Sequence, residues 1–167
     1  MHMHQETLVI LKPDALERNL IGTIIKYYED ACLRVLDMKY YGRIDEGLLR
    51  EHYPDTMALS VGLKAQRAVP TIKDPEAHGV KVLKSLRKYF SRGPVLAIKI
   101  GGEDAIGEVR RVTGYTDPAT AEKETIRGDL GLDSIEKSTE EGRAVENLVH
   151  ASGNHEEAEA ELRLWLP

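Results

Sequence analysis

Val145-Glu-Asn-Leu-Val-His150-Ala-Ser152-Gly-Asn-His-Glu-Glu-Ala-Glu-Ala-Glu161 encodes a strand, a turn and a helix in succession. The apolar run ends in His150. The small residues Ala151, Ser152 and Gly153 turn the chain, and Asn154 with Glu157 three positions on forms a capping box that opens a helix. In that helix Ala158, Leu162 and Trp165 recur at i, i+4 and i+7 as a buried stripe, and Glu161 falls on the same stripe. A carboxylate on a buried face needs a partner. The nearest in sequence is His150, because the helix returns along the strand it leaves, and a carboxylate commonly fixes an imidazole's tautomer and orientation. The spacing therefore points to His150 as nucleophile and Glu161 as its orienter. Taken alone, a histidine ending an apolar run is as well read as a packed residue, and the rest of the chain has to decide.

Thr7 to Leu11, a continuous β-prone apolar run, marks a central strand buried on both faces. Lys12 leaves its tip, where it can meet an anion or simply close the strand, and Pro13 suits the first turn of a helix. Ile21, Ile24, Ile25, Tyr28 and Cys32 then share one apolar face of a helix that covers the sheet. From Val35 to Arg43 the chain alternates, Leu36, Met38 and Tyr40 on one side and Asp37 and Lys39 on the other, as in a half-exposed strand. Asp45 caps a short helix through His52, with Tyr53 at its exit. Pro54 to Pro75 reads as a loop-rich stretch with a helical turn or two around Leu59 to Arg67.

A helix starting at Asp74-Pro75-Glu76 places Val80, Leu83, Leu86 and Phe90 inward and Lys81, Lys84, Arg87 and Lys88 on a solvated face. Val95 to Ile100 is a third strand, and Glu103 to Thr113 a helix closed by Gly114. The following thirty or so residues are irregular, and Leu132 to Arg143, acidic and rich in Ser and Thr, reads as a mobile surface excursion.

At 167 residues the chain is one domain with room for a substantial core. A net charge of −5, one Phe and one Trp argue against nucleic acid or an anionic membrane as partner. The single Cys32 cannot form an internal disulfide. Neither a transmembrane-length run nor the basic start of a signal peptide is present, so a cytoplasmic setting is expected. His2 and His4, at the chain end, are not expected to take part in the fold.

Arg110, Thr116 and Arg127 can converge with Lys12 on one anion, and several cations with a hydroxyl suit phosphate better than a neutral ligand. Ordinary surface arginines are the plainer alternative. The chain nevertheless resembles the nucleoside diphosphate kinases nearly end to end. The motifs that carry the resemblance are Thr7-Leu-Val-Ile-Leu-Lys12-Pro13-Asp14, Glu51-His-Tyr53, Ser91-Arg-Gly93-Pro94-Val95, Thr125-Ile-Arg127-Gly128-Asp129 and Asn147-Leu-Val-His150-Ala-Ser152. Each is weak alone, but five in the family's order, with Glu161 at the family's distance beyond His150, are specific.

The resemblance implies an α/β (α+β) ferredoxin-like fold, with four antiparallel strands covered by helices. It implies ping-pong transfer of a γ-phosphate between nucleotides, with Mg²⁺ carried on the nucleotide. His150 would be the phosphorylated nucleophile, attacking through Nδ1, and Glu161 would hold the other ring nitrogen with support from Ser152. Lys12, Tyr53, Arg110, Thr116, Arg127 and Asn147 would hold phosphates and ribose. Where relatives stack an aromatic on the base, this chain aligns Val82, with Leu86 beside it, so base contact would be weaker. A homo-oligomer built from dimers, a hexamer or a tetramer, is also implied.

The chemistry is consistent with those roles, since phosphoryl transfer asks of a protein mainly in-line positioning and stabilisation of charge. No P-loop motif competes with this reading. Two departures stand out. Ala151-Ser152-Gly153 replaces the usual Gly followed by Ser-Asp, and two stretches, about 56–80 and 132–144, lengthen loops of a single domain spanning 1–167. A noncatalytic module of the same fold, using those stretches to bind a partner, is the other hypothesis.

Overall fold

The computed structural model describes residues 4–167; His2 lies outside the described residues. Strand β1 (His4–Leu11) is followed by helices α1 (Pro13–Glu17) and α2 (Ile21–Asp30), strand β2 (Arg34–Tyr41) and helix α3 (Glu46–His52). A 3₁₀ turn (Asp55–Met57) leads into α4 (Ala58–Ala68), which pairs with α5 (Pro75–Ser91). Strand β3 (Val95–Glu103), helices α6 (Ala105–Thr113), α7 (Ile126–Leu130) and α8 (Ile135–Glu140), strand β4 (Val149–Ala151) and helix α9 (His155–Trp165) complete the chain. The strands form one antiparallel sheet in the order β2-β3-β1-β4. This is the ferredoxin-like α+β arrangement that the resemblance implied.

The apolar run of β1 is central, and its alternation divides the core. Val9 and Leu11 face α2 and α6 in one cluster with Ile24, Ile98 and Val109. Leu8 and Ile10 face α5 and α9 in the other, with Leu83, Phe90 and Trp165. All four β1 side chains are fully buried, each worth about 1.5–3 kcal/mol relative to exposure.

Several expectations are corrected. On β2 the apolar side chains point outward, Leu36, Met38 and Tyr40 being 44%, 48% and 60% exposed, because the strand lies at the sheet edge and no helix among the described residues covers that face. Cys32 lies beyond α2 in a left-handed turn (φ 62°) and is exposed. His4 pairs with Glu103 inside β1, so the sheet extends further toward the chain end than expected. The loop-rich stretch after Pro54 is largely the three-turn helix α4. It packs against α5 so tightly that Val80 turns outward (56% exposed) and Gly79 and Gly62 face the partner helix instead. Arg87 is not on a solvated face: it donates to the Tyr53 carbonyl (Nε 3.1 Å) and pairs with Asp55.

The segment expected to be irregular contains two short helices, each capped by a side chain. Thr125 Oγ1 accepts from Gly128 N–H (3.0 Å) and Ser134 Oγ from Lys137 N–H (3.1 Å). The second excursion is clamped at its base, where Arg143 donates to both oxygens of Asp133 (2.5 and 2.9 Å) and Asp133 also accepts from Glu146 N–H. Together these hold the Asp133 carboxyl low, at about 2, against the burial that pushes it up.

Candidate active site

Strand β4 is only three residues long, and its position depends on the Lys12-Pro13-Asp14 turn. Lys12 N–H donates to Leu148 O (2.8 Å), Leu148 N–H donates to Asp14 Oδ2 (3.1 Å), and Ser152 N–H donates to Leu8 O (3.2 Å). These bonds hold Leu148 in the left-handed region (φ 71°), a conformation costing on the order of 1–3 kcal/mol for a non-glycine residue. The second oxygen of Asp14 accepts from the Tyr89 hydroxyl. The Lys12 backbone and the Asp14 carboxylate thus fix the backbone that delivers His150. His150 pairs with Ile10 across the sheet, so its ring projects on the face covered by α5 and α9.

Helix α9 returns along that face as the capping box predicts. Glu157 N–H donates to Asn154 Oδ1 (2.9 Å), and the Glu157 carboxylate reaches back to Gly153 N–H (2.8 Å). A Cβ at position 153 would stand 2.6 Å from Glu157 Oε2, so a side chain there would displace the Glu157 carboxylate. The return brings Glu161 Oε2 to 2.6 Å from His150 Nε2, and Ser152 Oγ donates to the same oxygen (3.0 Å). A carboxylate accepts only, so Nε2 carries the proton and Nδ1 keeps the free lone pair.

Lys12, Asn147, Thr116 and Arg127 form a second chain of contacts beside the first. Lys12 Nζ donates to Asn147 Oδ1 (2.7 Å), and Asn147 Nδ2 donates to the Thr116 carbonyl (2.9 Å). Arg127 donates to three backbone carbonyls: Asn147 (3.2 Å), Gly114 (3.0 Å) and Val149 (2.6 Å). The guanidinium therefore braces β4 as well as placing positive charge beside it. Burial, together with the neighbouring Arg127, lowers the Lys12 ammonium to about 7 despite Asp14. Burial, with Arg110 adding to it, lowers Arg127 to about 10. A buried amine and a half-buried guanidinium, each lowered first by desolvation and then by a neighbouring arginine, form a site short of an anion.

The remaining predicted residues are less tightly bound in. Arg110 is exposed on α6, close enough to Arg127 to affect its ionisation. The Thr116 side chain is exposed, and its backbone carbonyl makes the site contact. Tyr53 is buried against His52 and Phe90 with its hydroxyl held strongly protonated, first by burial and then by the Glu161 charge. Val82 and Leu86, on α5, are half-buried. Sequence reasoning assigned no role to Asp14, Tyr89 or His52 and only a core role to Trp165, although Asp14 and His52 stand inside motifs it quoted; no periodicity could show that their partners lie so far away in sequence.

A ferredoxin-like sheet presenting a carboxylate-held imidazole beside a buried amine and guanidinium defines a class of phosphotransferase. Comparison with known proteins narrows it. The sequence model described as "Nucleoside diphosphate kinase" matches residues 5–61 and 75–167, leaving most of α4 and the connection to α5 unmatched, while 132–144 fall within the matched span. The chain is 39% identical over 173 aligned positions to the nucleoside diphosphate kinase of Pyrobaculum aerophilum, covering 96% of this chain and 94% of that one. Among solved structures it is similar to an NDP kinase from Pyrobaculum aerophilum, with a TM-score of 0.89, 35% identity and coverage of 99% and 97%. It is also similar to a transition-state mimic of the Borrelia burgdorferi nucleoside-diphosphate kinase with bound vanadate and ADP, with a TM-score of 0.83, 32% identity and coverage of 98% and 88%. The chain belongs to the nucleoside diphosphate kinase family. It is a nucleotide-binding phosphotransferase.

Proposed function

We propose that His150 Nδ1 is the atom phosphorylated in this kinase reaction. The observation that carries the reading is the 2.6 Å contact of His150 Nε2 with Glu161, which leaves Nδ1 as the nitrogen with a lone pair to donate. Nδ1 forms a bond to the γ-phosphorus as the bond to the bridging oxygen breaks, and a nucleoside diphosphate leaves with that electron pair. A second nucleoside diphosphate then attacks the phosphohistidine with a terminal phosphate oxygen and regenerates the imidazole. Glu161 balances the positive charge that develops on the ring, and Ser152 holds Glu161.

Lys12, Arg110 and Arg127 are read as the cations that take up charge on the migrating group, and Asn147, Thr116 and Tyr53 as the groups that hold phosphate and ribose. Val82 and Leu86 are read as base contacts. The donor set fits Mg²⁺ held mainly by nucleotide phosphates, because Asp14 and Glu161 are already engaged by Tyr89 and Leu148 and by His150 and Ser152. Bound in that way, the ion would neutralise phosphate charge.

The whole chain is read as one kinase domain in a homo-oligomer built from dimers, hexamer or tetramer. The exposed apolar residues of edge strand β2 support that reading. A cytoplasmic setting belongs to the same proposal; no helix among the described residues is long and apolar enough to cross a membrane.

Incubation with γ-labelled ATP and Mg²⁺ should place an acid-labile, base-stable label on the wild-type chain and none on His150→Ala. A chase with GDP should release the label as GTP. A wild-type chain that binds nucleotide and stays unlabelled removes the proposal.

A further inference from the structure

His52, at the end of α3, is 8% exposed and has a role in none of the steps above. Its ring lies against that of His150, centroids 4.6 Å apart and planes at 84°. Its Nδ1 accepts from Trp165 Nε1–H (3.2 Å), while Nε2 is buried without a hydrogen-bond partner. An indole can only donate, so Nδ1 must present a lone pair and the proton sits on Nε2. Burial, followed by the charges of His150 and Lys12, opposes protonation and keeps the ring neutral.

Trp165 is itself fixed. Its ring packs edge-on against Tyr41 and against His52, and its carbonyl accepts from the Tyr41 hydroxyl. It stands one helical turn beyond Glu161 on α9. The same helix face thus reaches His150 twice, directly through the Glu161 carboxylate and indirectly through Trp165 and the His52 ring.

We propose that His52 is a positioning residue for phosphoryl transfer: anchored to Trp165 through Nδ1, its ring stands perpendicular against that of His150 and fixes the plane in which His150 Nδ1 points. A single in-plane bond from Nε2 to Glu161 sets where that nitrogen points but leaves the ring free to tilt about the bond. A perpendicular ring in contact blocks the tilt. In-line attack tolerates only a small error of aim, and a misplacement of about 1 Å can cost about 10²-fold.

Ligand atoms of His52, His150 and Glu161 come within 4.8 Å of one another, a spacing that also invites comparison with a cation site. The tautomer argues otherwise, because Nδ1 already uses its lone pair on Trp165 and Nε2 carries hydrogen, so neutral His52 has no lone pair to give.

The inference rests on His150 being the phosphorylated residue, and the test separates the two. Single-turnover labelling from γ-labelled ATP with Mg²⁺ would be followed in wild type, His52→Asn and His52→Phe, with folding at 25 °C checked by circular dichroism. Asparagine keeps an acceptor near the Nδ1 position and removes the ring; phenylalanine keeps the ring and strands the Trp165 donor. His52→Asn is expected to slow label transfer about tenfold or more while the nucleotide KM stays within about twofold. His52→Phe should recover to within about threefold of wild type while melting at a lower temperature.

Folded variants that label at the wild-type rate, a loss confined to KM, or a His52→Phe as slow as His52→Asn would each overturn the positioning role. Absence of label on His150 in the wild type would instead overturn the nucleophile reading.

Discussion

Lys12, Asn147, Arg127 and Glu161 all have protein partners before any nucleotide arrives, whereas on the α4–α5 hairpin Leu59, Leu63 and Val80 remain exposed. The first region is anchored to the two strands β1 and β4 and to α9. The second is a pair of helices whose main contacts are with each other. The difference fits the roles proposed for each, phosphate binding in the first and base contact in the second. Charge stabilisation needs dipoles already in place, while contact with a base of variable identity needs only apolar surface of adequate shape. Substitutions in the first region should therefore reduce turnover, and substitutions in the second should alter affinity.

Lys12→Met should produce the largest effect, a loss of about 10²–10³-fold in kcat/KM. The free amine, lowered to about 7 by burial and then by Arg127, is only partly charged near neutral pH. Phosphate would restore its proton, so nucleotide binding at pH 8 should take up a proton from solution, seen as a buffer-dependent heat in calorimetry and lost in Lys12→Met. For stability the sign is opposite to that of an ion pair. Between a folded value of about 7 and the usual 10.5 the unfolded chain holds more protons, so this group's contribution to stability rises with pH over that range. Proton-neutral binding by the wild type would show that Lys12 does not serve the phosphates.

Gly79→Ala comes next and tests the second region's packing. A Cβ at Gly79 would stand 1.7 Å from the Ala58 carbonyl oxygen, and one at Gly62 1.6 Å from that of Pro75, so the helices can touch only because both positions lack a side chain. The substitution should cost about 1–3 kcal/mol by forcing the helices apart, well above the 0.5–1 kcal/mol that alanine returns in a helix interior. Nucleotide KM should rise several-fold while single-turnover phosphorylation at saturation stays near wild type. Equal loss in both parameters would show that the hairpin also governs the chemistry.

The sequence disclosed the first region far better than the second. The unbroken apolar run of β1 and the capping box of α9 are local patterns, and together they placed His150 and Glu161 in contact from spacing alone. What it could not disclose was the network that fixes them. Asp14 with Leu148, Lys12 with Asn147 and His52 with Trp165 join residues more than a hundred positions apart, and no periodicity encodes a partner. In the hairpin the fading periodicity and Pro54, Pro70 and Pro75 suggested a loop, whereas Gly62 and Gly79 let two helices pack in close contact there. On β2 the alternation gave the strand correctly and the buried face wrongly, because an edge strand with no covering helix among the described residues leaves its apolar side open.

Val82→Phe carries the smallest expected effect and divides the two regions most cleanly. Val82 is half-buried on α5; as the base contact proposed above, it offers less surface than an aromatic and no π face. An aromatic pair is worth about 0.5–1.5 kcal/mol beyond area burial, which corresponds to roughly a two- to tenfold drop in KM. Because stacking is the same in ground and transition states, kcat should stay within about twofold, the signature of uniform binding. The gain should be greater for purine than for pyrimidine nucleotides, since the larger ring overlaps more. Unchanged Michaelis constants would place the base elsewhere and leave the α4–α5 hairpin without a role in binding. A fall in kcat with KM would instead mean that product release limits the cycle, because a better-held diphosphate leaves more slowly.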